Sequence, residues 1–108
     1  MKKSQVNIEK VLENEKALLL YFYSDQCYPC KVLRPKIVDL ISKEFPEIKL
    51  LLLDVLSYPE WVASLQVFSA PTLLFFIEGK EYLREGKFIS LLDFRDKLER
   101  LVSLYFKR

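Results

Sequence analysis

The stretch Ser24-Asp25-Gln26-Cys27-Tyr28-Pro29-Cys30-Lys31 decides the fold of this chain and contains its only two cysteines. An apolar run, 17–23, leads directly into it, and apolar residues at helical spacing follow it between Val32 and Ile41. A Cys-x-x-Cys pair between a strand and a helix is typical of a redox motif. The start of a helix favours this chemistry because its unpaired N–H groups and positive dipole end stabilise a thiolate, the reactive form of cysteine.

The length and composition indicate one domain over residues 1–108 with a full hydrophobic core. The chain is 51% hydrophobic, its net charge is +2, and charges of both signs are interspersed. No basic block or acidic tail suggests nucleic acid, and apolar runs of about seven residues are too short to span a bilayer. The first ten residues lack the apolar run of a secretory signal. We therefore expect a cytoplasmic protein that binds neither nucleic acid nor membrane.

The absence of histidine narrows the chemistry that the chain can perform. Ser-His-Asp and Cys-His catalysis are excluded in their usual forms. Two cysteines without histidine do not complete the four ligands of a structural zinc site within one chain. We therefore expect no metal and no cofactor. A metal or cluster held between the cysteine pairs of two chains is an alternative that nothing in the sequence favours.

The hydrophobic pattern predicts the order helix, strand, helix, strand, helix, strand, strand, helix. The helices are predicted over 5–14, 28–44, 59–65 and 91–106, and the strands over 17–23, 48–54, 72–77 and 80–85. Ser57 and Ser90 each begin a Ser-x-x-acid pattern, which predicts N-caps for the last two helices. Right-handed crossovers make the first two strands parallel neighbours, and the wholly apolar first strand predicts helices on both faces of the sheet.

From about residue 5 to 106 the chain resembles the thioredoxin family. The resemblance rests on Cys27-Tyr28-Pro29-Cys30-Lys31 after a strand, on Pro35 four residues later, and on Ala70-Pro71-Thr72 before another strand. Gly79 at a hairpin turn and Gly86 before the final helix also match. The resemblance implies a three-layer α/β/α fold with a mixed sheet and a cis bond between residues 70 and 71, facing the cysteines. Too few residues precede the first helix for the family's usual first strand, so we expect four strands.

The chain departs from the family's common pattern around the two cysteines. Gln26 stands where tryptophan is common, and Tyr-Pro replaces the Gly-Pro dipeptide of thioredoxins proper. Tyr21 replaces the family's buried aspartate, and Leu52 aligns with the lysine that commonly lies near it. We expect Tyr21 and Leu52 to be core residues, like Trp61 and the segment 104–106. A role in tuning the reactivity of the cysteines is the alternative for Tyr21, as it is for Lys31.

The resemblance and the helix start together imply a thiol–disulfide oxidoreductase that reduces protein disulfides. Cys27 is expected to be the attacking nucleophile and Cys30 the resolving cysteine. The residues expected to bind substrate are Tyr28, Pro29, Ala70, Pro71 and Thr72. The backbone of Ala70 would hydrogen-bond an extended substrate segment as a short added strand. The expected partners are a disulfide-containing protein and an electron donor of the thioredoxin reductase type.

Two other interpretations of the cysteine pair stay open from the sequence. The pair could be a structural staple, although so short a loop contributes only about 2 kcal/mol. The chain could also be a redox-inert binding module that uses the same groove, since the family's buried acid is missing. We expect a monomer, and a homodimer contact is the alternative if the missing first strand leaves apolar surface exposed.

Overall fold

The computed structural model describes residues 7–107. Its elements are α1 (Ile8–Asn14), β1 (Ala17–Tyr23), α2 (Tyr28–Glu44), β2 (Lys49–Asp54), α3 (Pro59–Ser64), β3 (Thr72–Ile77), β4 (Lys80–Glu85) and α4 (Leu91–Phe106). The predicted order is confirmed, while residues 5 and 6 of the first predicted helix lie outside the described part. Within residues 7–107, no helix is both long enough and apolar enough to cross a membrane.

The sheet is mixed and four-stranded, with the strand order β2-β1-β3-β4. β1 pairs in parallel with β2 and antiparallel with β3. β3 and β4 form an antiparallel hairpin whose turn contains Gly79 at a φ of 83°, a conformation that glycine adopts without strain. The predicted sheet is therefore confirmed, and β1 lies at its centre.

Helices cover both faces of this sheet because its central strands are apolar on both sides. Successive side chains of a strand point to opposite faces, so Leu19 and Tyr21 of β1 lie on one face and Leu18 and Leu20 on the other. α2 and α4 pack against the first face, and α1 and α3 pack against the second. The three-layer α/β/α architecture is thus confirmed.

The topology gathers the ends of several elements at one edge of the sheet. β1 and β2 are parallel, so they end at the same edge, where α2 and α3 begin. β3 is antiparallel to β1 and therefore starts at this edge, which the last residues of β4 also reach. The cysteines and the Ala70-Pro71 segment meet here.

Three local predictions need correction. Ser57 does not cap α3; the N-cap is Tyr58, without a side-chain hydrogen bond, and the Ser57 N–H donates to the Asp54 carbonyl in a preceding turn. Leu52 is 39% exposed because β2 is an edge strand within the described residues. Leu104 is 72% exposed on the outer side of α4, whereas Trp61 is buried as predicted.

The core between the sheet and α4 is expected to supply much of the stability. Phe94 of α4 is 1% exposed, so Phe94→Ala should lower the free energy of unfolding by about 3–5 kcal/mol through lost burial and a cavity. Phe88→Ala is the matched control, because Phe88 is 90% exposed and its loss should change stability by less than about 0.5 kcal/mol. Denaturant unfolding of the oxidised proteins measures both. Equal effects would contradict the packing described for α4.

Candidate active site

The cysteine pair lies where β1 ends and α2 begins. Cys27 is the N-cap residue of α2, and Cys30 lies one turn into the helix. The two sulfurs form a disulfide, with their Cα atoms 5.3 Å apart. Cys27 is half-buried, whereas Cys30 is 0% exposed. Of the two cysteines, Cys27 is therefore the one that solvent can reach.

The helix start directs a hydrogen-bond donor at the Cys27 sulfur. The Cys30 amide N–H donates to Cys27 Sγ at 3.1 Å, the bond that a hydroxyl or carboxylate oxygen accepts at an ordinary N-cap. Pro29 occupies the first turn, where its missing N–H costs no helical hydrogen bond. After reduction the same N–H and the positive end of the 17-residue helix favour a thiolate at this sulfur.

The segment before β3 lies against the disulfide, although it is distant from the cysteines in the sequence. The Ala70–Pro71 peptide bond is cis, as the resemblance implied. The Ala70 carbonyl oxygen lies 3.5 Å from Cys27 Sγ. Thr72 is buried, and its hydroxyl donates to the Ser69 carbonyl at 2.6 Å. The predicted residues of this segment thus meet the cysteines, although the side chain of Thr72 faces its own loop.

Tyr21 lies beneath Cys30 and contacts its backbone directly. Its side chain is fully buried, and its hydroxyl donates to the Cys30 carbonyl at 2.8 Å. Burial raises the pKa of Tyr21 to about 12, and the Arg34 guanidinium opposes that rise only in part. The phenol therefore stays protonated at neutral pH and cannot accept a proton from Cys30. Leu52 is its register partner on β2, so neither position supplies a charged group.

The other predicted residues form the rim of the site. Tyr28 and Pro29 are exposed next to Cys27, and Lys31 is exposed one residue after Cys30. Lys31 makes no ion pair in the described part of the chain. The sequence patterns did not indicate Lys36, which lies on the same rim. Spacing alone could have found it, because positions 28, 32 and 36 share one face of a helix.

These features define a class of protein. A disulfide at the N-terminus of the helix after the central strand, faced by a cis-proline loop, is the arrangement of a dithiol–disulfide exchange site in a thioredoxin-like fold. Such a site takes up and releases two electrons as its disulfide is reduced and reformed.

Comparison with known proteins identifies the family. The thioredoxin family model matches residues 1–98. Thioredoxin-like protein YdfQ of Bacillus subtilis (strain 168) is 32% identical over 102 residues, which cover 94% of this chain and 90% of that protein. A thioredoxin of Chlamydia trachomatis is 35% identical over 86 residues, 80% of this chain and 79% of its own. The crystal structure of Fasciola hepatica thioredoxin superposes with a TM-score of 0.74 at 28% identity, covering 85% of this chain and 88% of that one. The chain belongs to the thioredoxin family and is a thiol–disulfide oxidoreductase.

The buried hydroxyl of Tyr21 is expected to contribute measurably to stability. Tyr21→Phe removes only the hydroxyl group and leaves the Cys30 carbonyl without this donor. The loss should lower the free energy of unfolding by about 1–2 kcal/mol. Tyr23→Phe is the matched control, because the Tyr23 hydroxyl makes no hydrogen bond within the described residues. Denaturant unfolding at pH 8 compares the three proteins. A similar loss in both variants would show that the Tyr21 bond is not the cause.

The raised pKa of Tyr21 predicts a pH dependence that Tyr21→Phe should lack. An unfolded tyrosine ionises near pH 10, whereas folded Tyr21 ionises near 12, so its contribution is complete below pH 10 and is lost as the pH rises towards 12. The stability difference between wild type and Tyr21→Phe should therefore shrink by about 1.4 kcal/mol between pH 9 and pH 11. Unfolding at both pH values measures it. A difference that stays constant would mean that Tyr21 is not held in its neutral form.

Proposed function

We propose that Cys27 is the nucleophile and Cys30 the resolving cysteine of an enzyme that reduces disulfides in other proteins. The observation that carries the proposal is the asymmetry between the two sulfurs. Cys27 Sγ is accessible at the helix start and accepts the Cys30 N–H at 3.1 Å, whereas Cys30 is fully buried. A stabilised and accessible thiolate is the form that attacks a disulfide.

The reaction runs in two exchange steps. The Cys27 thiolate attacks one sulfur of the substrate disulfide, forms a mixed disulfide and displaces a substrate thiolate, which takes a proton from solvent. Cys30 then loses its proton, and its thiolate attacks Cys27 Sγ and displaces the second substrate thiolate. Two thiols of the enzyme become one disulfide, and one disulfide of the substrate becomes two thiols, so two electrons move. Because no carboxylate lies at Tyr21 or Leu52, we assign solvent as the acceptor of the Cys30 proton.

The surface around Cys27 supports a role in holding an extended substrate. Ala70 presents its carbonyl 3.5 Å from the sulfur, where a substrate backbone N–H could bind it as an added strand. Tyr28, Pro29 and Pro71 line the surface beside it. Thr72 contributes indirectly, since its hydroxyl bond to Ser69 fixes the loop that carries Ala70.

In this proposal Tyr21 and Lys31 adjust the reactivity of the cysteines and take no part in bond formation or proton transfer. The Tyr21 hydroxyl fixes the carbonyl of Cys30 and so holds the first turn of α2, whose N–H points at Cys27. Lys31 adds an exposed positive charge close to the cysteine pair, which favours the thiolate. Neither residue exchanges a proton with the sulfurs.

The cycle needs a donor that returns two electrons to the Cys27–Cys30 disulfide. We assign this role to a reductase of the thioredoxin reductase type, which makes the protein a carrier in an electron-transport chain. A net reductant of disulfides fits the cytoplasm, where thiols are kept reduced. We further propose that residues 1–108 form one domain that acts as a monomer. Sedimentation at high micromolar concentration should give the mass of one chain, 12.8 kDa.

The proposed function is tested by turnover of a protein disulfide with dithiothreitol as the donor. Free thiols of the substrate should appear at a rate proportional to enzyme concentration and well above the rate with dithiothreitol alone. No acceleration would overturn the proposal and would favour a binding module that uses the same surface.

A further inference from the structure

We propose that the enzyme prefers disulfides whose attacked cysteine carries an acidic residue on one side and an apolar residue on the other. This rests on the proposed function and adds a substrate class to it. Two clefts lie near Cys27. The one on the β4 side of the sheet is lined mainly by residues of α2 and of the loop that follows β4. The one on the β2 side is lined mainly by α3 and by the loops before and after it. Their linings differ in charge, and that difference carries the proposal.

The cleft on the β4 side, called the basic cleft here, has a volume of about 440 Å³. Its floor and walls are apolar, and two lysines stand at its rim; the residues that matter are Tyr28, Val32, Lys36, Pro71, Lys87 and Ile89. Tyr28 follows Cys27 in the chain, and Pro71 follows Ala70, whose carbonyl is 3.5 Å from the sulfur. The cleft is therefore lined by the chain neighbours of Cys27 and of the residue whose carbonyl contacts its sulfur.

The two lysines of the basic cleft lack a partner of opposite charge. Asp39, the acidic residue nearest to Lys36 along α2, is paired with Lys43 at 3.0 Å. Glu85, the acidic residue nearest to Lys87, is paired with Lys97 at 3.1 Å. Neither cleft lysine forms an ion pair within residues 7–107, and no carboxylate is among the residues that line the cleft.

The cleft on the β2 side, called the apolar cleft here, is similar in size, about 430 Å³. Its principal residues are Val55, Leu56, Val62, Val67, Phe68 and Ala70, and no charged side chain lines it in the described part of the chain. Leu56 and Phe68 are large apolar side chains that remain mostly exposed. An apolar substrate residue would remove this surface from water without burying a charge.

Charge complementarity selects the occupant of the basic cleft. An acidic side chain two residues from the substrate cysteine lies on the same face of an extended segment as that cysteine. Bound across Ala70, such a segment would bring its carboxylate towards Lys36 and Lys87 while its backbone follows the apolar floor. A lysine at that position would be repelled by two unpaired positive charges.

The test measures the reduction of short peptides joined as disulfide-linked dimers. Each peptide has leucine two residues from its cysteine on one side and a variable residue two residues away on the other side. The variable residue is glutamate, glutamine or lysine. Each peptide is made in two versions, with the leucine on the N-terminal or on the C-terminal side of the cysteine. Enzyme reduced beforehand is mixed with each dimer, and released thiols are trapped and counted by mass spectrometry.

The variants are Lys36→Glu/Lys87→Glu and the control Lys80→Glu. Lys80 matches Lys87, since each Nζ lies near the ring of a neighbouring aromatic, 5.7 Å from Tyr82 and 5.1 Å from Phe88, but Lys80 starts β4 at the opposite end of the sheet.

In at least one of the two orders, the glutamate peptide should react about fivefold faster than the lysine peptide, as expected for exposed charge pairs near contact. The preference should fade between 0.1 and 1 M salt, where the screening length falls from about 10 to 3 Å. Lys36→Glu/Lys87→Glu should reverse the order of the peptides, whereas Lys80→Glu should preserve it. Equal rates for all three peptides in both orders, or an equal effect of Lys80→Glu, would overturn the substrate preference alone. Failure to reduce even the glutamine peptide would overturn the proposed function and the preference with it.

Discussion

Replacing Cys27 by serine is expected to abolish the reduction of protein disulfides, with a loss of about 10³-fold or more in rate. The reason is that a serine hydroxyl is not ionised at neutral pH and cannot form a mixed disulfide, and loss of a catalytic nucleophile has effects of at least this size. The assay is the turnover of a protein disulfide with dithiothreitol, corrected for the rate with dithiothreitol alone.

The choice of serine keeps the local structure intact. Serine is a good N-cap residue, so its hydroxyl can accept the Cys30 N–H that Cys27 Sγ accepts in the wild type. A circular dichroism spectrum like that of the reduced wild type would show that α2 is retained. Activity within tenfold of the wild type would contradict the assignment of Cys27 as the nucleophile.

Replacing Cys30 by serine is expected to stop the reaction at its first intermediate. Cys27 can still attack, but no second thiolate follows, so the enzyme should accumulate as a mixed disulfide with close to one substrate molecule per chain. Mass spectrometry under non-reducing conditions identifies the adduct and the cysteine that carries it. Dithiothreitol should release it.

Cys27→Ser/Cys30→Ser provides the control for this trapping experiment, because it should bind substrate without forming any covalent adduct. If Cys30→Ser forms no adduct while the wild type turns over, Cys30 is not the residue that resolves the mixed disulfide. If the adduct forms on Cys30 in Cys27→Ser at the wild-type rate, the roles of the two cysteines are reversed.

Most of the fold could be predicted from short-range sequence signals. β1 and β3 are runs of apolar residues of strand length, and α4 has apolar residues at spacings of three and four. These patterns are enough to predict which segments are strands or helices and the order in which they occur. The cysteine pair, Pro35 and Ala70-Pro71-Thr72 occur at the distances that the family requires. The family assignment needed no knowledge of the three-dimensional contacts.

The sequence predicts the wrong environment for Leu52 and Ser57, because these environments depend on the place of a strand in the sheet and on a competing turn. Leu52 belongs to an apolar run like that of β1, but β2 is the edge of the described sheet and β1 its centre, so the same side chain is partly exposed. Ser57 matches a capping pattern, yet Asp54 takes over the turn: its carbonyl accepts the Ser57 N–H and its carboxylate accepts the Leu56 N–H. A competing local hydrogen bond of this kind is not visible in residue spacing.

The site was predicted only in part because its contacts join distant segments. The bond from the Tyr21 hydroxyl to the Cys30 carbonyl depends on how closely α2 lies on β1, which a sequence pattern does not report. Lys36 and Lys87 come together from α2 and from the loop before α4. Their lack of partners was also hidden, because it follows from which lysines pair with Asp39 and Glu85.

A redox titration of the Cys27–Cys30 pair tests the central claim most directly. The protein is equilibrated with dithiol buffers of known potential, and free thiols are trapped and counted by mass spectrometry. An enzyme that reduces protein disulfides should show a reversible two-electron transition, about 30 mV per tenfold change in the ratio, with a midpoint near that of thioredoxin at about −270 mV. A midpoint near −120 mV would identify an oxidant, and the absence of any reversible transition would exclude a thiol–disulfide oxidoreductase.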